Sequence, residues 1–214
     1  DEPGTALSHL DYAPLAETMG RLPWAAEVFN CNAPDSGNME LLHRFADDAQ
    51  RAQWLVPLLR GEIRSAFAMS EPDVASSDPT NLQTAVRSEG DELVLNGRKW
   101  FITGAAHPDC RLLIVIARNE GAFVDAHHSH SLVLVPMDVP GVTVVRNIPV
   151  VHHLAPDGHC EIVFRQVRVP RANLLGAWGE GFAMAQARLG PGRVHHCMRT
   201  IGQCELALEL ATER

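Results

Sequence analysis

The apolar period of this chain changes at Leu59-Arg60-Gly61 and changes back near Gly179, which divides it into a helical part, a strand-rich part and a second helical part. Over residues 6–20, Leu7, Leu10, Leu15 and Met19 recur at roughly helical spacing, and Gly20 offers a stop. Pro23 suits the first position of a short helix over 24–29. Further helices are predicted over 39–45 and from Asp47, a candidate N-cap, through Leu55. Beyond Gly61 the runs are short, β-branched and bounded by turns. Residues 82–87 and 93–95 read as a hairpin through Ser88-Glu89-Gly90-Asp91, followed by strands over 112–117, 131–136, 142–146 and 161–169. The polar, His-bearing stretch 119–130 reads as an exposed loop. From Gly179 a helix is expected, amphipathic over 200–214 through Ile201, Leu206, Leu208 and Leu210.

Composition removes several classes of function. With 214 residues the chain holds one large domain or two small ones, and its apolar content suffices for a buried core. The net charge of −8 and the lack of any Lys/Arg-rich run argue against a nucleic-acid tracker. No uninterrupted apolar stretch reaches membrane-spanning length, so a soluble protein is expected. Five widely spaced cysteines, with no CxxC pair and no secretory signal, read as reduced, buried thiols. The chain opens at Asp1 and stops at Arg214 inside a helical pattern, and so reads as a fragment.

The most informative segment is 65–104. The apolar run Ala66-Phe67-Ala68-Met69 leads into Ser70-Glu71-Pro72, where the proline turns the chain. Ala75, Ser76 and Ser77 have little bulk, so backbone N–H groups and hydroxyls there suit close approach to a phosphate. An Asn96-Gly97 turn signal precedes Lys99-Trp100-Phe101-Ile102-Thr103, a strand ending in an aromatic next to a hydroxyl. An apolar wall with a few placed donors suits a large planar cofactor.

These segments resemble the flavin-binding signature of the acyl-CoA dehydrogenase family, a TEPxxxSD-like loop (here Ser70 to Ser77) and a WIT-like strand (Phe101-Ile102-Thr103). The likeness continues through Val169-Pro170-Arg171-Ala172-Asn173-Leu174-Leu175-Gly176 and Gly179-Glu180-Gly181-Phe182, covering nearly the whole chain. The EPDVASSD and GPGRVHHCMRTIG runs most resemble a subfamily fused in some members to a kinase-like domain. The resemblance implies an α+β fold: a helical N-terminal part at 1–62, a central β domain of two packed sheets at 63–172, and the start of a C-terminal helical bundle at 173–214. It implies FAD as cofactor, α,β-dehydrogenation of an acyl-CoA thioester, an electron transfer flavoprotein as acceptor, and a homo-oligomer, dimer or tetramer. A cytoplasmic location would follow for a bacterial source, and the mitochondrial matrix or peroxisome for a eukaryotic one.

Residue by residue, the resemblance places Phe67, Met69, Ser70, Phe101, Ile102 and Thr103 at the flavin, with Thr103 donating to its N5/O4 edge. Ala75 and Ser76 would meet the pyrophosphate or the substrate thioester, and Glu71 would buttress the loop. Where the family has tryptophan, this chain has Phe101, its own tryptophan being the preceding residue; the family's glycine after the proline is Asp73. Gly190, Pro191, Gly192 and Arg193 lie where the family helix approaches acyl-CoA, with Arg193 as the substrate cation. A Gly-Pro-Gly run should kink or bulge that helix. Some members carry the catalytic base where Gly192 stands, so the base is expected after Arg214.

Blander readings compete at each point: core aromatics for Phe101, a turn hydroxyl for Ser70 and a surface salt bridge for Arg193. The histidines at 127, 128, 130, 152, 153, 159, 195 and 196 show no standard zinc spacing, and packing or surface roles outrank metal ligation. His195 and His196 retain a weaker reading as tunnel residues. Rival functions are a non-catalytic binding or assembly module and a nucleic-acid-associated relative, the latter disfavoured by the acidic balance.

Overall fold

The structure, a computed structural model, describes residues 7–22, 24–121 and 125–214. Residue 6, at the expected start of the first helix, and Pro23 lie outside the described residues. The N-terminal part contains α1 (His9–Gly20), α2 (Ala25–Val28) and α3 (Asp35–Phe45). It continues through α4 (Asp48–Gln50), a π turn (Arg51–Leu55) and α5 (Val56–Leu59). Two of its starts are capped by side chains: Ser8 accepts from the Asp11 N–H, and Asp47 accepts from the Gln50 N–H at 2.8 Å. The Gln50 side chain also accepts from the Asp47 N–H, completing a capping box, and its amide donates to the Ala172 and Leu174 carbonyls at 2.7 and 2.9 Å. One glutamine thus ties the helical part to the chain leaving the sheet.

Among the described residues eight strands follow: β1 (Arg64–Ala68), β2 (Ala85–Glu89), β3 (Glu92–Thr103), β4 (Cys110–Asn119), β5 (His130–Pro136), β6 (Val142–Asn147), β7 (His159–Pro170) and β8 (Leu174–Leu175). Their hydrogen-bonded order is β6-β7-β3-β2-β4-β5-β8, with β1 also on β4. The two packed layers expected from the sequence are two limbs of this single sheet. The pleat sends successive side chains to opposite faces. On one face, Leu113, Val115 and Ala117 of β4 share a buried cluster with Leu93, Leu95 and Ile102 of β3 and Ile162 and Phe164 of β7.

The intervening residues of β4 face the other way. Leu112, Ile114 and Ile116, with Leu132 and Leu134 of β5, pack against Leu41 and Leu42 of α3, Trp54, Leu58 and Met184. β4 therefore separates two cores, and a one-residue slip would exchange its faces.

The last helix, α6 (Gly181–Thr212), continues through Gly190-Pro191-Gly192 as one helical element with Pro191 inside it. Its packing against α1 supplies the physical reason. A Cβ at Gly20 would overlap the Arg199 backbone, and one at Gly202 would overlap the Glu17 carbonyl, so the two helices touch backbone to backbone. Tertiary contact of this kind overrides local propensity. Of the amphipathic residues of α6, Leu206 is half-buried, whereas Ile201, Leu208 and Leu210 are exposed.

Loop 119–130 is exposed only in part, because Ser129 and His130 are buried where β5 begins. The thiols also depart from expectation. Cys110 and Cys160 are buried, Cys31 is half-buried, and Cys197 and Cys204 are exposed on α6; all five are free.

Candidate functional site

A cavity of about 1060 Å³ opens where the end of β1, the end of β3, the start of β7, the α1–α2 turn and α6 converge. Six of the residues singled out by sequence line it together: Phe67, Met69, Ser70, Phe101, Ile102 and Thr103. They come from two segments far apart in sequence, joined where the Trp100 N–H donates to the Ser70 carbonyl at 3.0 Å.

The backbone explains why Phe101 faces the cavity. Along the β3–β7 ladder Lys99 pairs with Ile162 and Ile102 with Cys160, so β3 spends three residue steps against two. That one-residue bulge holds Phe101 in left-handed backbone, φ +51°, a conformation costly for a side chain of this size. The residue is left 43% exposed, with Trp100 edge-on at 4.8 Å. Trp100 itself does not line the cavity. An aromatic kept half-bare by strained backbone is poor core and good ligand surface.

Beneath the wall lies a buried ion pair. Lys99 is 0% exposed, and its ammonium donates to the Met69 carbonyl and to Glu71 Oε1, each at 2.8 Å. Glu71 also accepts from the Gln83 and Thr84 N–H groups at 2.7 and 2.8 Å. The carboxylate thus closes the base of loop 69–84, which leaves the edge of β4 between its pairings with β1 and β2. Burial pushes the Glu71 carboxyl up, but the Lys99 charge and the bonds it accepts outweigh this and hold it below its ordinary value. Burial lowers Lys99 to about 8 against the opposing pull of Glu71.

Ser76 serves the same loop. Its hydroxyl accepts from the Glu71 N–H at 2.7 Å and lies 2.9 Å from the Glu71 carbonyl. Neither Ser76 nor the exposed Ala75 lines the cavity. Gly190, Pro191, Gly192 and Arg193 do not line it either. Arg193 is exposed and forms no ion pair among the described residues, and a Cβ at Gly190 or Gly192 would meet open space.

The sequence reading missed Arg188, little more than one helical turn before Arg193. Its guanidinium lies 4.2 Å from the centre of the Phe67 ring and lines the cavity. It donates to Asn38 Oδ1 at 2.8 Å and to the Pro34 carbonyl at 3.3 Å. Burial lowers it to about 10, with Asp35 and Glu40 acting against this. Its setting inside a run of small residues carried no sequence signal; only the packing of α6 on α3 reveals it.

The histidines disperse. His127 stands edge-on to Phe182, His128 pairs with Asp125 at 2.8 Å, and His152 and His153 are exposed. His195 stands edge-on to His9 and tilted against Tyr12, outside the lining of the cavity, whereas His196 and His159 line it.

The chain also matches known proteins in sequence and in fold. Residues 66–167 match the family model described as acyl-CoA dehydrogenase, middle domain. Over those residues the chain is similar to that family's middle domain. It is 56% identical over 211 residues to the probable acyl-CoA dehydrogenase FadE2 of Mycobacterium tuberculosis, covering 98% of this chain and 52% of that protein. Acyl-CoA dehydrogenase family member 11 of Homo sapiens is 49% identical over 98% of this chain, which spans 27% of it. A solved Mycobacterium abscessus protein superposes with a TM-score of 0.95 at 53% identity, over 99% of this chain and 52% of its own. The chain therefore spans about half, or less, of the family relatives it matches.

Proposed function

We propose that the cavity receives the isoalloxazine ring of FAD and that the whole protein dehydrogenates an acyl-CoA thioester between Cα and Cβ. The observation that carries this reading is Phe101, held by the bulge with its ring toward the same cavity as the hydroxyls of Ser70 and Thr103. The residues fit the cofactor: a flat ring needs an apolar face to lie on and a small number of donors at its polar edge. When bound, FAD supplies the hydride acceptor, at N5.

This chain's residues then have separate tasks. Phe67, Met69, Phe101 and Ile102 form a dry wall that excludes water from the ring face. Ser70 and Thr103 present hydroxyls to its edge. Lys99 and Glu71 hold the Met69–Ser70 backbone in place from behind. Ala75 and Ser76 remain our proposal for the pyrophosphate or thioester end, and Arg193 for a substrate cation, on the strength of the resemblance. The α-proton goes to a base that we assign to no residue here, since Gly192 has no side chain and the resemblance implies a base beyond Arg214. An electron transfer flavoprotein as electron acceptor and a homo-oligomeric assembly belong to the same reading.

The relatives named acyl-CoA dehydrogenases, at 56% and 49% identity, support the reaction class. Placement near the subfamily fused in some members to a kinase-like domain belongs to the same reading and rests on the resemblance of the EPDVASSD and GPGRVHHCMRTIG runs. The test is an equilibrium FAD titration of the full-length protein and its Phe101→Ala and Thr103→Val variants. Both variants should bind FAD more weakly, and wild-type affinity in both would refute the placement of the ring.

A further inference from the structure

Thr103 and His159 face each other where the β3–β7 ladder ends. They are register partners, Thr103 Oγ1 lies 3.0 Å from His159 Nδ1, and both side chains line the cavity. The backbone on the histidine side is held at several points. The Gly104 N–H donates to the Gly158 carbonyl at 3.1 Å, and the His159 N–H donates to Asn147 Oδ1 at 2.8 Å. The His159 carbonyl accepts from the Ile148 N–H at 3.0 Å. Gly158, at φ +78°, has Ala106 so close that a Cβ would lie 2.6 Å from the alanine methyl, so this approach requires glycine.

A threonine hydroxyl has one proton to give, and an imidazole nitrogen is either a donor or an acceptor. If Nδ1 is bare, Thr103 donates to it and shows only lone pairs to the cavity. If Nδ1 carries a proton, Thr103 accepts it as a hydrogen bond and its own proton is free to point inward. We infer that His159 is a positioning residue that, by keeping a proton on Nδ1, aims the Thr103 hydroxyl proton at the electron-rich edge of a ring bound in the cavity. The inference rests on the proposed flavin reading, in which that edge is the N5/O4 side of oxidised FAD. The histidine then acts on the cofactor only through the threonine.

The test is a double-mutant cycle on FAD affinity in the full-length protein, with Thr103→Val, His159→Leu and the pair together. Each single variant should weaken FAD binding about threefold to tenfold, the range expected for one hydrogen bond. The pair should bind no more weakly than Thr103→Val alone. His159→Asn, whose amide can stand near the Nδ1 position and donate, should restore most of the loss. The ¹⁵N spectrum of the His159 ring in the wild-type FAD complex should show Nδ1 protonated, and it decides the matter if His159→Leu does not fold.

Thr103→Val binding FAD as tightly as wild type would overturn the flavin reading at this residue. A weakened Thr103→Val beside an unaffected His159→Leu would overturn the inference alone. Independent, multiplying losses in the pair, or a bare Nδ1 in the FAD complex, would do the same.

Discussion

The Lys99 ammonium lies 2.8 Å from Glu71 Oε1 with both side chains buried, and from this pair hang the Met69 carbonyl on one side and the Gln83 and Thr84 N–H groups on the other. Removing one charge strands the other without water. Lys99→Met and Glu71→Gln should each destabilise by about 3–5 kcal/mol, whereas the double variant should recover much of the loss. Urea denaturation of the three variants checks this, and strictly additive losses would show that the two groups do not act as a pair.

The same pair predicts a pH dependence, in which the facing groups are Glu71 and His130. His130 stays below its ordinary value through burial and the Lys99 charge. Folded Lys99 releases its proton near 8, while an unfolded lysine keeps it to about 10.4. Between these values the unfolded state binds more protons, so stability relative to the Lys99→Met/Glu71→Gln variant should rise with pH by up to about 1.4 kcal/mol per unit. On the acid side Glu71, held below its ordinary value, contributes stability that is present above the unfolded carboxylate pKa and lost as pH falls through the folded one. Denaturation free energies across the pH range test both limbs; a flat or falling alkaline limb contradicts the assignment of Lys99.

Helix α6 contains glycines of opposite kind. Gly202 meets the Glu17 backbone, so Gly202→Ala should force α1 away and destabilise by about 1–3 kcal/mol. Gly190 and Gly192 face open space in this structure, so Gly190→Ala and Gly192→Ala should each stabilise by about 0.5–1 kcal/mol through helix propensity. Melting curves of the three variants should separate in sign. A stabilised Gly202→Ala would mean that the helices are not in backbone contact.

Much of this architecture was legible in residue order. The change of period at Gly61, the Asp47 cap and the hairpin over Ser88 to Asp91 follow from local chemistry, and they reappear in α4, β2 and β3. What escaped depends on partners distant in sequence. The pairing of β1 with β4 is parallel and joins Phe67 to Ile114, which no local pattern announces. The bulge at Phe101 is set by the ladder with β7. Gly190-Pro191-Gly192 reads locally as a break, yet α1 and α3 pack on the helix that contains it. For the site, the motif residues 67–70 and 101–103 were found because a short segment carries each of them. Lys99 was visible only as a strand residue, although Glu71, an acid just after the apolar run Ala66–Met69, signals that a partner must lie nearby if it is buried. Arg188 and His159 had no such signal and emerge only from the cavity they share.

On the proposed reading this cavity serves flavin reduction by an acyl-CoA. The most direct measurement is an anaerobic titration of the full-length, FAD-loaded protein with a series of straight and branched acyl-CoA thioesters, following the visible absorbance of the flavin. Stoichiometric bleaching by at least one member of the series is expected, slowed in Thr103→Val at saturating FAD. Full FAD occupancy with no bleaching by any member would contradict this role for the cavity.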